Sequence, residues 1–181
     1  GTFIDPNNLR KYLFEATERI VFKTDATERG EGIFFFNETT FDADNVRQLG
    51  NGVFQRYVDQ HELLEAFMPT SVATLRMTTV IEDDGNCSVR ACILRFARNN
   101  DTHVNAHTEI CLPIDPKDGR FANEAFLPNW QTIEQHPDTG ISFAGNIFPQ
   151  YEKCVSIVTK LHKRLPAARC GAQRLYFLGD R

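Results

Sequence analysis

Along the chain the apolar residues change period several times, and each change marks an element. From Asn8 to Thr17 they fall at Leu9, Tyr12, Leu13 and Ala16, a helical spacing that Asp5-Pro6 can start. Ile20 to Phe22 and Ile33 to Phe36 are short apolar runs of the kind strands make, on either side of a polar turn in "VFKTDATERGEGIFFF". Val53 to Val58 follows the turn signal Gly50-Asn51-Gly52 as a third strand, and His61 to Met68 reads as a short helix that Pro69 ends. Ser71 to Ile81 alternates Val72, Thr74, Arg76, Thr78 and Val80 against Ala73, Leu75, Met77, Thr79 and Ile81. Asp83-Asp84-Gly85-Asn86 turns it into Cys87 to Ala97, an antiparallel hairpin. Val104 to Ile114 is mixed and ends in the Pro113-Ile114-Asp115-Pro116 turn. From Pro149 to Leu165, Tyr151, Cys154, Val155, Val158, Leu161 and Leu165 form one helical stripe, with Pro166 just past its end. The pattern predicts an α+β fold, an antiparallel sheet with helices packed on it.

Composition narrows the class without naming a chemistry. A length of 181 residues suits one domain or two small lobes, and 41% hydrophobic with 24% charged residues is a globular balance. The net charge of −4 gives no general attraction to nucleic acid or to an anionic membrane. No apolar run approaches the roughly 18 residues that cross a bilayer, and no basic-then-apolar start marks a signal peptide. The cysteines at 87, 92, 111, 154 and 170 are odd in number, scattered, and lack a C-x-x-C pair. That speaks against a disulfide scaffold or zinc knuckle and sets a reduced, cytoplasmic location as the expectation.

Two constellations carry candidate chemistry. Lys23 leaves the first strand as a point charge suited to a phosphate oxygen, and Gly30 and Gly32 let backbone N–H groups approach one closely. A plain surface hairpin fits the same residues, so both alternatives stand. The second constellation is Arg76, Arg90, Arg95 and Arg98, followed by Asn105. Arg76 shares its parity with Val72, Thr74 and Thr78, where an arginine answers a carboxylate or phosphate, or snorkels from an edge. His103 and His107 are four apart in a segment without helical character, which disfavours a metal pair. His61 and His136 stand near a helix start or turn, as surface or capping histidines do. No G-x-S-x-G and no Cys–His pairing is visible, so a hydrolase finds no support.

Whole phrases then become recognisable. "VFKTDATERGEGI", "VFQRYVDQHELLEAFMPTSVATLRMTTV", "LPIDPKDGRF" and "HPDTGISFAGNIFPQYEKCVSIVTKLHKRLP" occur in one order from about Phe14 to Cys170. Together they resemble the ATP-grasp superfamily, most closely the sugar-transfer-associated ATP-grasp proteins. The resemblance implies an ATP-grasp-like fold divided at about residue 60, with a small glycine-loop lobe (1–60) and a larger lobe (61–181). It implies ATP and Mg²⁺ as cofactors, and an acid activated as an acyl phosphate before attack by an amine or other nucleophile. It implies as partners a nucleotide and a small carboxylate or glycan-linked substrate, with a polysaccharide or cell-envelope pathway suggested by the family's name alone.

By position, Lys23 is similar to the lysine on the ATP phosphates, and Asp25 to Gly32 to the loop that closes over them, keeping Gly30 and Gly32. Gln55, Tyr57 and Val58 fall in the strand and hinge against adenine and ribose. Arg76 is similar to the arginine facing the transferred phosphate or the acid, and Arg95 and Asn105 to residues near the reacting groups. The departures are as specific. The family loop reads approximately K-P-D-D-G-S-G-G-K-G, whereas here Thr24, Ala26, Thr27, Glu28 and Arg29 intervene and Glu31 replaces a lysine. Gln55 replaces the hinge glutamate, Ala73 an asparagine, and Thr108-Glu109 lies near an expected glycine pair.

Past "LP" the family continues into a G-W-D strand and an E-x-N that hold magnesium, and here Gly171-Ala172-Gln173 occupies the first of these. The expectation is therefore no bound metal, Gln173 at the first ligand position, and Asp180 as the sole later carboxylate. A fold incomplete at both ends is expected with it. Three alternatives follow: an ATP-dependent ligase, a degenerate pseudoenzyme that binds without turnover, or a fragment completed by a homo-oligomer or a complementary segment.

Overall fold

The computed structural model describes residues 8–25, 31–165 and 167–175. The chain divides into two compact units, Gly1–Val58 and Asp59–Arg181. No helix among the described residues is long and apolar enough to cross a membrane.

In the first unit, helix α1 (Leu9–Phe14) precedes strands β1 (Arg19–Thr24) and β2 (Ile33–Asn37), helix α2 (Ala43–Leu49) and strand β3 (Gly52–Arg56). The sheet is antiparallel with β1 in the middle, in the order β2-β1-β3. Strand alternation turns Ile20 and Phe22 to one face, where they pack with Phe41 and Val46 and with Leu13, Phe34, Phe36 and Phe54. Tilted and edge-on rings tighten this core: Phe22–Phe54 at 4.8 Å, Phe14–Phe41 at 5.7 Å and Phe36–Phe41 at 5.9 Å between centroids. Helix α2 is an element that apolar period alone does not announce, because Val46 is its sole buried side chain. Its caps do announce it. The Asp42 carboxylate accepts from the Asp44 and Asn45 N–H groups, and Gly50 closes the other end onto the Arg47 carbonyl.

The second unit opens with helix α3 (Glu62–Phe67), which His61 caps through its Nδ1, accepting from the Leu63 N–H at 3.1 Å. Strands β4 (Thr74–Ile81), β5 (Cys87–Phe96), β6 (Ile110–Ile114), β7 (Ala125–Phe126) and β8 (Thr132–Ile133) follow, then helix α4 (Tyr151–His162) and strand β9 (Cys170–Leu175). They build a six-stranded antiparallel sheet in the order β8-β7-β6-β5-β4-β9. Leu75 and Met77 of β4, Cys92, Leu94 and Phe96 of β5, and Ile110, Leu112 and Ile114 of β6 share one face. Tyr151, Cys154 and Val158 of α4 belong to the same core. Both units have an α+β architecture built on antiparallel sheets.

The buried face of α4 corrects the expected stripe. Leu161 and Leu165 are 46% and 65% exposed, whereas His162 is buried with Tyr151, Cys154 and Val158. The i, i+3, i+7, i+11 series runs straight along the helix, and the leucines fall beside it. His136 is likewise no surface residue. It is fully buried, its Nε2–H donates to the Ala97 carbonyl at 3.0 Å, and its Nδ1 accepts from the Asp138 N–H.

The phrases that carry the family resemblance hold this scaffold together. Gln60 donates from Nε2 to the Met68 and Ser71 carbonyls at 2.8 and 2.7 Å and accepts from the Ala73 N–H at 3.0 Å. In His136-Pro137-Asp138-Thr139-Gly140, Asp138 accepts from the Asn99 N–H at 2.7 Å and Thr139 donates to the Phe67 carbonyl at 3.3 Å. Gly140 closes that turn at φ +70°, a conformation that a side chain resists.

Candidate functional site

Parity decides which residues of the six-stranded sheet face away from α4. Because Leu75 and Met77 point to the core, Thr74, Arg76 and Thr78 point the other way. Register adds their neighbours: Arg95 opposite Thr74, Ile93 opposite Arg76, Cys111 opposite Arg95, and Arg174 of β9 opposite Arg76 on its other side. Arg76 and Arg95 are thus diagonal neighbours, their Cβ atoms about 7 Å apart by ordinary sheet geometry.

The arginines of this region differ in what they meet. Arg90 pairs with Glu82 at the hairpin end, and Arg98 Nε donates to the Thr108 carbonyl at 2.7 Å, so both serve the scaffold. Arg95 lies 3.1 Å from Glu109, with side chains only 21% and 12% exposed. The two do not meet in hydrogen-bonding geometry, so Arg95 Nε and Glu109 Oε2 both lack a hydrogen-bond partner among the described residues. Thr74 Oγ1, also buried, lacks one too. Buried polar atoms left unpaired are uncommon and mark a place where a ligand or water completes the bonding. Arg76 is exposed, and no carboxylate among the described residues pairs with it. Cys111, beside Arg95, has its thiol pKa raised, first by burial and then by the Glu109 charge.

Asn105 sits in the turn before β6. Its side chain accepts from the His107 N–H at 2.9 Å, and its carbonyl accepts from the Thr108 and Glu109 N–H groups at 3.1 and 2.8 Å. It thereby places Glu109, a residue that sequence reasoning noted only as a departure.

In the first unit, Lys23, Gln55 and Tyr57 share the sheet face opposite the aromatic core, together with Val21, Ile33, Phe35 and Val53. Lys23 is half-buried and Gln55 exposed. The Arg19 guanidinium lies 3.9 Å from the Tyr57 ring centroid, and Phe35 meets the same ring edge-on. This second face is apolar with cations along it, a surface on which a planar base and an anion can both rest. Gly32 closes the base of the loop, its carbonyl accepting from the Thr24 N–H at 2.9 Å. Gly30 lies outside the described residues, as do most of the 25–32 loop and Asp180. Val58 is half-buried just past β3.

Gln173, expected at the first ligand position, is placed by β9. It lies opposite Met77, on the α4 side of the sheet, where its Oε1 is 3.3 Å from the Thr79 hydroxyl oxygen. A side chain there faces away from Arg76, so Gln173 does not stand in for a metal ligand on the arginine face. Among the described residues no three His, Cys, Asp or Glu side chains gather as a metal would require. Glu109, the carboxylate beside Arg95, is already engaged by it. The donors that the described residues offer here do not fit a magnesium ion, a hard cation that calls for several oxygen ligands.

A Cys–His approach, not visible in the sequence, does exist beneath α4. Cys87 Sγ is 3.6 Å from His162 Nδ1, which also meets the Thr79 hydroxyl at 2.7 Å, while His162 Nε2–H donates to the Ala168 carbonyl at 2.6 Å. With both ring nitrogens engaged, this histidine braces the helix end against β4. Tertiary folding creates the juxtaposition across 75 residues, and no local spacing encodes it.

No curated protein matches the chain, and no solved structure does. The sequence profile of the sugar-transfer associated ATP-grasp family matches residues 45–172, which takes in Gln55, Tyr57, Val58, Arg76, Arg95 and Asn105 and leaves Lys23, Gly30, Gly32 and Arg174 outside. With that match spanning most of its length, and with the antiparallel sheets and packed helices described above, the chain belongs to the sugar-transfer associated ATP-grasp family.

Proposed function

We propose that this protein is an ATP-binding, ligase-type module that activates a carboxylate. Residues 1–60 serve as the lobe over the nucleotide: Lys23 meets the phosphates, with Gly30 and Gly32 in the covering loop, and Gln55, Tyr57 and Val58 lie against adenine and ribose. Residues 61–181 serve as the lobe that holds the reacting groups, with Arg76, Arg95 and Asn105 near them. In the reaction, a carboxylate oxygen attacks the γ-phosphorus, the bond to ADP breaks and ADP leaves. The lone pair of an amine or other nucleophile then attacks the acyl carbon, phosphate leaves, and the nucleophile gives up its proton. Arginines suit both stages, because their planar forks match carboxylate and phosphoryl oxygens. The acid is a small or glycan-linked carboxylate, in keeping with the family's sugar-transfer association, and the setting is the cytoplasm.

The single observation that carries this reading is Arg76. It is an exposed arginine on the strand face away from the helix, beside the half-buried Arg95, with no carboxylate of its own among the described residues. A second reading, nucleotide binding without turnover, draws on the donor set. Glu109 is bound to Arg95 and Gln173 turns toward α4, so among the described residues no carboxylate set stands ready on this face to hold the metal of phosphoryl transfer. Calorimetric titration of ATP with and without Mg²⁺ tests the first reading. Binding that weakens in Lys23→Ala supports it, and no binding in either condition removes the nucleotide from this chain. Phosphate release across a panel of amino acids and uronic acids then separates turnover from binding alone.

A further inference from the structure

β9 joins β4 in a register that sets Arg174 directly opposite Arg76. Like charges directly opposed across a strand pair repel, so this arrangement is unfavourable unless something negative lies between them. Most other described arginines meet an acceptor, although Arg56 and Arg164 are exposed without one among the described residues. Arg47, Arg90, Arg95, Arg120 and Arg169 each reach a carboxylate, and Arg10 and Arg98 each reach a carbonyl. Arg76 and Arg174 are both exposed, and among the described residues neither reaches a carboxylate or a hydrogen-bond acceptor. Beside them on the same face stand Thr78, Ala172 and Ala91, all with short side chains. One step the other way is Thr74, 5% exposed, whose hydroxyl finds no partner among the described residues.

We propose that Arg76 and Arg174 form a two-guanidinium clamp for one oxyanion, a carboxylate or a phosphoryl group. Two planar forks offer paired N–H donors to two oxygens, and the anion cancels the repulsion that the register imposes. The clamp rests on the ligase reading for the identity of its anion, and on register alone for its place. Arg174 lies beyond the segment that matches the family. Arg174 acts by binding, and Thr74 lies at the rim on the Arg95 side.

The test uses the full chain in low-salt buffer, with pyrophosphate and glucuronate as probes and thermal melting beside calorimetry. Arg174→Gln and Arg76→Gln should each weaken the bound probe about tenfold or more, the loss expected for a charge-assisted contact. Without any anion, Arg174→Gln should melt at the same temperature as the parent or higher, because a repulsion has been removed. Arg174→Lys should restore only part of the affinity, keeping charge without the fork. Whichever probe loses more identifies the source of the oxyanion. The proposal is overturned if neither probe binds the parent, if affinity is equal in parent and variants, or if Arg174→Gln lowers the anion-free melting temperature. Glucuronate binding that depends on Arg174 in a protein that ignores ATP would keep the clamp and remove the nucleotide reading. ATP binding that is indifferent to Arg174, with neither probe bound, would do the reverse.

Discussion

Thr79 and His162 meet at 2.7 Å between β4 and the last turn of α4, and both are buried. The histidine's Nε2–H is committed to the Ala168 carbonyl, so its Nδ1 accepts and the threonine hydroxyl donates. Thr79→Val keeps the shape and leaves a buried imidazole nitrogen with only the Cys87 thiol at 3.6 Å. The expected loss is about 1–3 kcal/mol of unfolding free energy. Urea denaturation measures it, and a change within about 0.5 kcal/mol, the range of an ordinary surface substitution, would show that the contact does not matter.

His136 predicts how stability depends on pH. Burial is the main cause that lowers its pKa from 6.5, opposed by its bond to the Ala97 carbonyl and by the Asp138 charge. In the folded protein it therefore stays neutral below the pH at which the unfolded chain takes up a proton. Its contribution is fully present above the unfolded value and is lost as pH falls from about 6.5 toward the folded pKa. Unfolding free energies measured between pH 7.5 and 5 should fall more steeply in the parent than in His136→Gln. Parallel curves would assign the acid sensitivity to other groups.

Gly52 supports the position of Lys23. A Cβ on Gly52 would come within 2.3 Å of the Lys23 carbonyl oxygen and 2.5 Å of the Phe22 ring. Backbone on one side and a core ring on the other cannot both yield, so Gly52→Ala should destabilise the protein by about 1–3 kcal/mol through overpacking. On the proposed function it should also weaken ATP more than Gly50→Ala does, since Gly50→Ala strains the α2 cap at φ +88° but meets nothing within 4 Å. Melting curves and ATP titrations on the two variants make the comparison.

Glu109 holds Arg95 in partial burial, where solvent still screens the pair. Glu109→Gln should cost about 1–2 kcal/mol, below the roughly 3–5 kcal/mol of breaking a fully buried pair. It should at the same time strengthen pyrophosphate binding, because Arg95 loses its counter-charge and stands diagonal to Arg76. Weaker binding in Glu109→Gln would instead make Glu109 a positioning residue for the arginine face.

Local patterns determined much of this protein. Alternation from Ser71 onward specified β4, the Asp83-Asp84-Gly85-Asn86 turn specified its hairpin with β5, and the period from Tyr151 specified α4. Those signals survive in a sequence because each element's apolar residues repeat at the element's own period. The phrases around Gln60 and His136 named the family, since each residue there fills a turn or a backbone bond that few others can. Tertiary structure decided the rest. Alternation divides β4 into two faces without saying which is covered, and only the packing of α4 put Arg76 on the other one. β9, with Cys-Gly-Ala-Gln-Arg-Leu, has little strand signal of its own and exists as a strand because β4 pairs with it through backbone hydrogen bonds. Such bonds are the same for every residue type and leave no mark in the sequence. The opposition of Arg76 and Arg174 and the turn of Gln173 toward α4 follow from that pairing, and the meeting of Thr79 with His162 follows from the packing of α4 on β4, so the fold alone could bring them about.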